Sequence, residues 1–177
     1  MRIIGGRLKG LRLQAPKNLP VRPTTDLAKE ALFNILNNQV DFETLKVLDL
    51  FSGTGNISME FASRGAEEVV SVDRNRFCIQ YLKSMAEKHD LNQLKTQMAD
   101  VFAYLKLETE RYDLVFADPP YDLPALYQIP DRVFERNLVK SGGYLIIEHP
   151  SMKKIDHPFL IEQRVYGSSS FSFFSPK

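Results

Sequence analysis

From Lys46 onward, apolar runs too short to be helices alternate with amphipathic stretches, and no other feature restricts the fold so severely. Val47 to Phe51, Val69 to Val72, Leu114 to Ala117 and Tyr144 to Ile147 have the length and apolar character of buried strands, and Thr96 to Met98 is read as a further strand from its place in the alternation. Helical segments are predicted between them, over residues 57–63, 76–89, 101–107 and 131–138, with Phe77, Tyr81, Leu82 and Met85 as the apolar face of the second. Strand and helix in alternation mean βαβ units, and hence a mostly parallel α/β sheet with helices on both faces. Gly142-Gly143 should interrupt the chain before the fifth run, and the segments on either side of Gly167 should close it as an antiparallel hairpin.

Upstream of this pattern, Arg22-Pro23-Thr24-Thr25-Asp26 reads as an extended residue before proline, then a Thr cap, then an acid in the first turn of a helix. Leu27, Ala31, Leu32, Ile35 and Leu36 recur at helical spacing, and the helix should end near Asn37-Asn38. The 177 residues are enough for one domain with a full core.

The net charge of +1 hides an asymmetry. Arg2, Arg7, Lys9, Arg12, Lys17 and Arg22 all precede the first acid, Asp26, so the remaining chain carries five more acids than bases. A basic arm or hairpin at residues 1–22, attached to an acidic body, points to a polyanionic partner at one end of the molecule. Cys78 is the only cysteine, and His89, His149 and His157 are scattered, so neither a disulfide framework nor a metal site is expected. The opening MRIIGG lacks a signal-peptide core and no run reaches membrane-spanning length; a cytoplasmic protein is expected.

In an open α/β sheet the ligand lies at the carboxyl ends of the strands. Three predicted strand ends carry acids: Asp49, Asp73 and Asp100. After the first, Gly53 and Gly55 let backbone approach a ligand closely, but the third glycine of a dinucleotide fingerprint is missing. An acid four residues before Gly53 is a poor neighbour for phosphate and a good one for an ammonium or sulfonium, which favours S-adenosylmethionine over NAD. Asp49 would then face the methionyl ammonium and Asp73 the ribose hydroxyls. Asp100 would accept from the adenine amine, with Val101 or Phe102 against the ring. On this reading Asp73→Ala should weaken cofactor binding and leave the thermal melt of the free protein nearly unchanged.

Asp118-Pro119-Pro120-Tyr121 is the most specific motif. Two prolines fix φ and remove two donors, leaving a rigid array of acceptors at a strand end, and its partner must be a donor such as an exocyclic amine. Tyr121 offers a face for a base to stack on. Asp118 and the Pro119 carbonyl would hold the two N–H groups, and Asp118 would take the proton.

The motif Phe51-x-Gly53-x-Gly55 followed by Asp118-Pro119-Pro120-Tyr121 resembles class I, Rossmann-like, S-adenosylmethionine-dependent amino methyltransferases. Together with Arg2-Ile3-Ile4-Gly5-Gly6, Arg22-Pro23-Thr24-Thr25-Asp26, Glu30 to Leu36 and Ser63-Arg64-Gly65-Ala66, it is similar to the RsmD family of bacterial 16S rRNA guanine-N2 methyltransferases. The resemblance implies a seven-stranded sheet, a single methyltransferase domain at 23–177 and a monomer acting on the assembling small ribosomal subunit. It also implies Arg22, Thr24 and Phe51 at the cofactor, and an rRNA grip by Arg2, Arg7, Lys9, Arg12 and Lys17. Two stretches depart from the family pattern, Asn56-Ile57-Ser58-Met59 after the second glycine and the non-basic Asp122-Leu123-Pro124 after the Pro pair. A DNA adenine-N6 or cytosine-N4 methyltransferase, a protein glutamine methyltransferase and a non-catalytic RNA-binding assembly factor are the competing readings.

Overall fold

Strand β1 (Lys46–Leu50) is an interior strand of the sheet in the computed structural model, which describes residues 1–19 and 24–176. Helix α1 (Asp26–Leu36) precedes it. There follow α2 (Asn56–Ser63), β2 (Glu68–Asp73), α3 (Arg76–Lys88), β3 (Leu94–Met98), α4 (Val101–Leu107), β4 (Tyr112–Ala117), α5 (Ile129–Glu135), β5 (Val139–Pro150), β6 (Leu160–Tyr166) and β7 (Ser169–Phe174). The strand order is β3-β2-β1-β4-β5-β7-β6. The first five strands are parallel, and β7 runs antiparallel between β5 and β6. The seven-stranded α/β sheet and its terminal hairpin are therefore as expected.

Alternation along each strand divides the core. Val47, Val69, Leu114, Phe116 and Ile146 pack with α1, α2 and α3, whereas Leu48, Leu50, Val70, Val72, Val115 and Ile147 pack with α4 and α5. β1 has β2 on one side and β4 on the other, so the chain reverses direction across the sheet here and a crevice opens at the carboxyl ends of these two strands.

Several expectations need correction. In α1 Leu27 is 74% exposed, and the buried face runs Ala28, Lys29, Leu32, Phe33 and Leu36. In α3 Phe77 is 67% exposed, while Cys78, Ile79, Leu82 and Ala86 are buried. β5 continues through Gly142-Gly143, where the interruption takes the form of a register jump against β4, from Tyr112↔Val139 to Leu114↔Tyr144. α5 ends at Glu135 because Asn137 adopts φ 54 and the Leu138 amide donates back to the Val133 carbonyl at 3.1 Å, a left-handed C-terminal cap built on Asn instead of Gly.

The N-terminal segment is a hairpin folded onto the body. Arg2 bridges Arg12, and the Ile3 amide donates to the Leu11 carbonyl at 2.9 Å. Ile3 and Leu13 are buried in the same core layer as α1 and α2. Gly6 lies so close to α2 that a Cβ there would sit 1.9 Å from the Ser63 carbonyl oxygen, and its φ is +74. The expected boundary between residues 22 and 23 lies outside the described residues.

Candidate active site

The crevice is a cavity of about 450 Å³, within the size range of small-molecule sites. Asp49, Phe51, Ser52, Gly53, Asp73, Asp100, Val101 and Phe102 line one part of it, and Thr24, Phe116, Asp118, Pro119, Pro120 and Tyr121 the other. The structure thus brings together the acids and the proline turn, Asp49 and Asp118 being 69 residues apart in the sequence. Arg22 lies outside the described residues. Gly55 is absent from the cavity wall.

Gly55 has a different task. It adopts φ +83 as the residue before α2, and a Cβ there would lie 2.3 Å from Leu82 Cδ1 in the core. Its left-handed φ and its packing against helix α3 both require the glycine. Gly55→Ala is expected to cost about 2 kcal/mol in denaturant unfolding, from left-handed backbone strain plus overpacking.

Asp49, near the end of β1, is buried, and its carboxylate accepts from the Ser58 hydroxyl, which is itself 2.6 Å from the Ser71 hydroxyl. Burial pushes the Asp49 carboxyl up to about 7, the Ser58 bond opposes the rise and the charge of Asp73 adds to it. Asp73, at the end of β2, accepts the Gly53 amide at 2.8 Å and the Asn75 amide at 2.7 Å. It therefore shapes both turns, and Asp73→Ala should lower the thermal melt, contrary to expectation. Asp100 caps α4 by accepting the Ala103 amide at 2.9 Å. Phe51, held at φ 59, meets Phe102 edge to face.

At the reacting end the Asp118 amide donates to the Leu50 carbonyl at 3.3 Å, fixing the turn against β1. Tyr121 Oη and Ser169 Oγ are 2.5 Å apart, and Lys153 Nζ donates to the Tyr121 main-chain oxygen at 2.6 Å. Thr25 caps α1, which frees Thr24 to face the cavity. Thr24 Oγ1 donates to Glu148 Oε2 at 2.7 Å and lies 3.5 Å from Asp118 Oδ2, so one hydroxyl sits between two carboxylates. Glu148 is buried beside the site. His149 is buried against Ser172 Oγ at 2.8 Å, and burial holds its ring below the usual histidine range, which makes it a neutral structural group.

Sequence reasoning missed the support behind Thr24. Asn56 Nδ2 donates to the Thr24 carbonyl at 3.2 Å, and Asn56 Oδ1 accepts from Lys29 Nζ at 2.9 Å. Lys29 and Glu60, both fully buried, are paired at 3.3 Å. Glu60 also accepts the Ile4 and Gly5 amides at 2.9 and 2.8 Å, and Arg64 Nε at 3.0 Å. Asn56 thus supplies the middle of a buried polar path from the hairpin to the turn at Asp118.

Arg2, Arg7, Lys9, Arg12 and Lys17 are all exposed. The Arg7 amide donates to the Ser63 carbonyl at 2.7 Å and its guanidinium to the His89 carbonyl at 2.5 Å, so the hairpin tip lies at the far end of α2. At 1.5 Å per residue, that is about 10 Å along the helix from the cavity. Among the described residues, no group of three or more His, Cys, Asp and Glu is placed to hold a metal ion, and no helix is long and apolar enough to cross a membrane.

A sheet of this order, reversing at β1 and β4 around an acceptor turn and three facing acids, is that of the class I methyltransferases, whose methyl donor is S-adenosylmethionine. The chain belongs to the family described as conserved hypothetical protein 95, the RsmD family, whose model matches residues 1–175. YlbH of Bacillus subtilis (strain 168) is 34% identical over 158 residues, covering 84% of this chain and 82% of that protein. Ribosomal RNA small subunit methyltransferase D of Escherichia coli (strain K12) is 28% identical over 148 residues, covering 84% of this chain and 71% of that one. The solved structure of protein TTHA0928 from Thermus thermophilus superposes with a TM-score of 0.86 at 29% identity, over 99% of each chain.

Proposed function

We propose that this protein methylates the exocyclic N2 amine of a loop guanine in 16S rRNA, acting as a cytoplasmic monomer on the assembling small ribosomal subunit. The observation that carries the reading is the cavity in which the acceptor turn of Asp118 and Pro119 faces Asp49, Asp73 and Asp100. The cavity suits S-adenosylmethionine: Asp49 for the ammonium, Asp73 for the ribose hydroxyls, Asp100 for the adenine amine, and Val101 and Phe102 for the ring. Ser52 Oγ, buried in this wall with no hydrogen-bond partner among the described residues, adds an unused polar group. When bound, the cofactor supplies a methyl group on a sulfonium, which leaves readily as a neutral thioether.

The chain's own residues prepare the nucleophile. An aryl amine is a poor one because its lone pair is spread into the ring. Asp118 and the Pro119 carbonyl accept its two N–H groups, which pyramidalises the nitrogen and turns its lone pair toward the donor. As the carbon–nitrogen bond forms, one N–H proton passes to Asp118. Tyr121, held by Ser169 and Lys153, stacks on the base. The guanine edge, with donors at N1 and N2, suits a site with the carboxylates of Asp118 and Glu148 side by side.

The test is labelled methyl transfer to small ribosomal subunits, naked 16S rRNA and duplex DNA, followed by mass mapping of the product base. Label in N2-methylguanine of rRNA is expected, and label confined to DNA or protein would overturn the reading. Asp118→Asn should lower turnover about 10²-fold at unchanged cofactor affinity. A non-catalytic assembly factor would instead keep its full effect in that variant.

A further inference from the structure

The turn after β5 rises beside the acceptor loop, and its backbone is pinned on every side. The Ser151 amide donates to the Ser168 carbonyl at 2.9 Å and the Lys153 amide to the Pro150 carbonyl at 2.9 Å. Gln163 Nε2 donates to the Lys153 carbonyl at 3.3 Å, and Ile155 is buried in the core layer of α4 and α5. Lys153 Nζ reaches across to the Tyr121 carbonyl. In the middle of this rigid frame Met152 is 96% exposed, next to an exposed Lys154.

A fully exposed thioether on a fixed turn contributes little to the fold, and its neighbour Lys153 ties the turn to Tyr121, a residue of the cavity wall. A base reaching Asp118 has to leave its stack, which costs a few kcal/mol and leaves a gap in the strand. Phosphates flanking it would pass beside the reacting end of the cavity, whereas Arg74, a cation in the cavity wall, follows Asp73 at the other end and the hairpin tip with Arg7 and Lys9 lies along α2. Met152 offers an apolar side chain for the first of these and Lys154 a cation for the second.

We propose that the Met152-Lys153-Lys154 turn receives the RNA strand beside the target base: Met152 wedges into the vacated place in the stack, and Lys154 pairs with an adjacent phosphate. This rests on the reading of RNA as substrate. Lys153 acts as the brace that ties the wedge to the stacking residue Tyr121, so that wedge and pocket hold a fixed separation.

The probe is unmethylated small ribosomal subunits, with Met152→Ala, Met152→Leu and Lys154→Ala compared in kcat/KM and in cofactor affinity. Both side chains are exposed, so the variants should fold as the parent does. Met152→Ala should lose about tenfold in kcat/KM, Met152→Leu should restore most of it, and cofactor affinity should not move. Lys154→Ala should weaken RNA binding and reduce the slope of log affinity against log salt by about one. An alanine variant as active as the parent, a leucine variant as poor as alanine, or an unchanged salt slope would each overturn the proposal. Failure of the parent protein to methylate any rRNA would instead remove the RNA reading beneath it.

Discussion

Glu60→Ala should destabilise the protein by about 3–5 kcal/mol, the penalty for leaving a buried charge without its partner. Glu60 collects the Lys29 ammonium, the Arg64 guanidinium and the Ile4 and Gly5 amides, all at a side chain sealed from solvent. Desolvation already holds the Lys29 amine below the ordinary lysine value, with Glu60 as the chief opposing influence. Truncation leaves that amine, among the described residues, with the Arg2 and Asn56 oxygens as its hydrogen-bond acceptors. Two further consequences separate this account from generic core damage. Amide exchange at Ile4 and Gly5 should accelerate more than at β1, because those amides lose their acceptor. The double variant Glu60→Ala with Lys29→Met should recover a large part of the lost stability, since an apolar pair does not carry the desolvation cost of a lone ammonium. A double variant no more stable than the single one would refute the assignment.

That cluster also marks where the sequence stops being legible. Parallel strands buried on both faces read directly as aliphatic runs, and the rule placing ligands at their carboxyl ends led to Asp49, Asp73, Asp100 and Asp118 without any contact information. Lys29 and Glu60 could not be found that way. A charged residue in an amphipathic helix belongs outside by default, and only contacts between positions 27 to 56 residues apart in the chain put them inside. Leu27 and Phe77 erred in the opposite sense, as apolar residues assigned to a core that the helix rotation denies them. The arm was visible as a run of charge, but its course was not: its tip lies beyond α2 because Ser63 and His89 accept its hydrogen bonds.

Asp49→Asn should raise the stability of the cofactor-free protein at pH 8 by on the order of 4 kcal/mol, or on the order of 10 °C in Tm, while weakening S-adenosylmethionine binding at least tenfold. The sign follows from where the proton sits. The Asp49 carboxyl titrates at about 7 in the folded chain, against 3.8 as its ordinary value. Below about pH 4 both folded and unfolded chains keep the proton, and there is no penalty. Between there and pH 7 the unfolded chain releases it first, so the contribution of Asp49 to stability falls steadily as pH rises, and above pH 7 the full cost of a buried anion remains. The asparagine variant does not titrate, so its advantage should grow from pH 4 to 7 and then level off. Ser58 can still donate to the amide oxygen, which preserves the local packing. On the proposed placement of the methionyl ammonium at Asp49, cofactor binding should release a proton, because a cation there favours the ionised form. Calorimetry at pH 6 in two buffers of different ionisation enthalpy should register close to one proton released per cofactor bound, and less at pH 8. An advantage for the asparagine variant that is the same at pH 5 and pH 8 would show that the Asp49 carboxyl is not raised by burial, and binding heats independent of buffer would show that it does not meet the cation. With both results as expected, an acid that weakens the empty fold is retained because the positive charge of the bound cofactor offsets its cost.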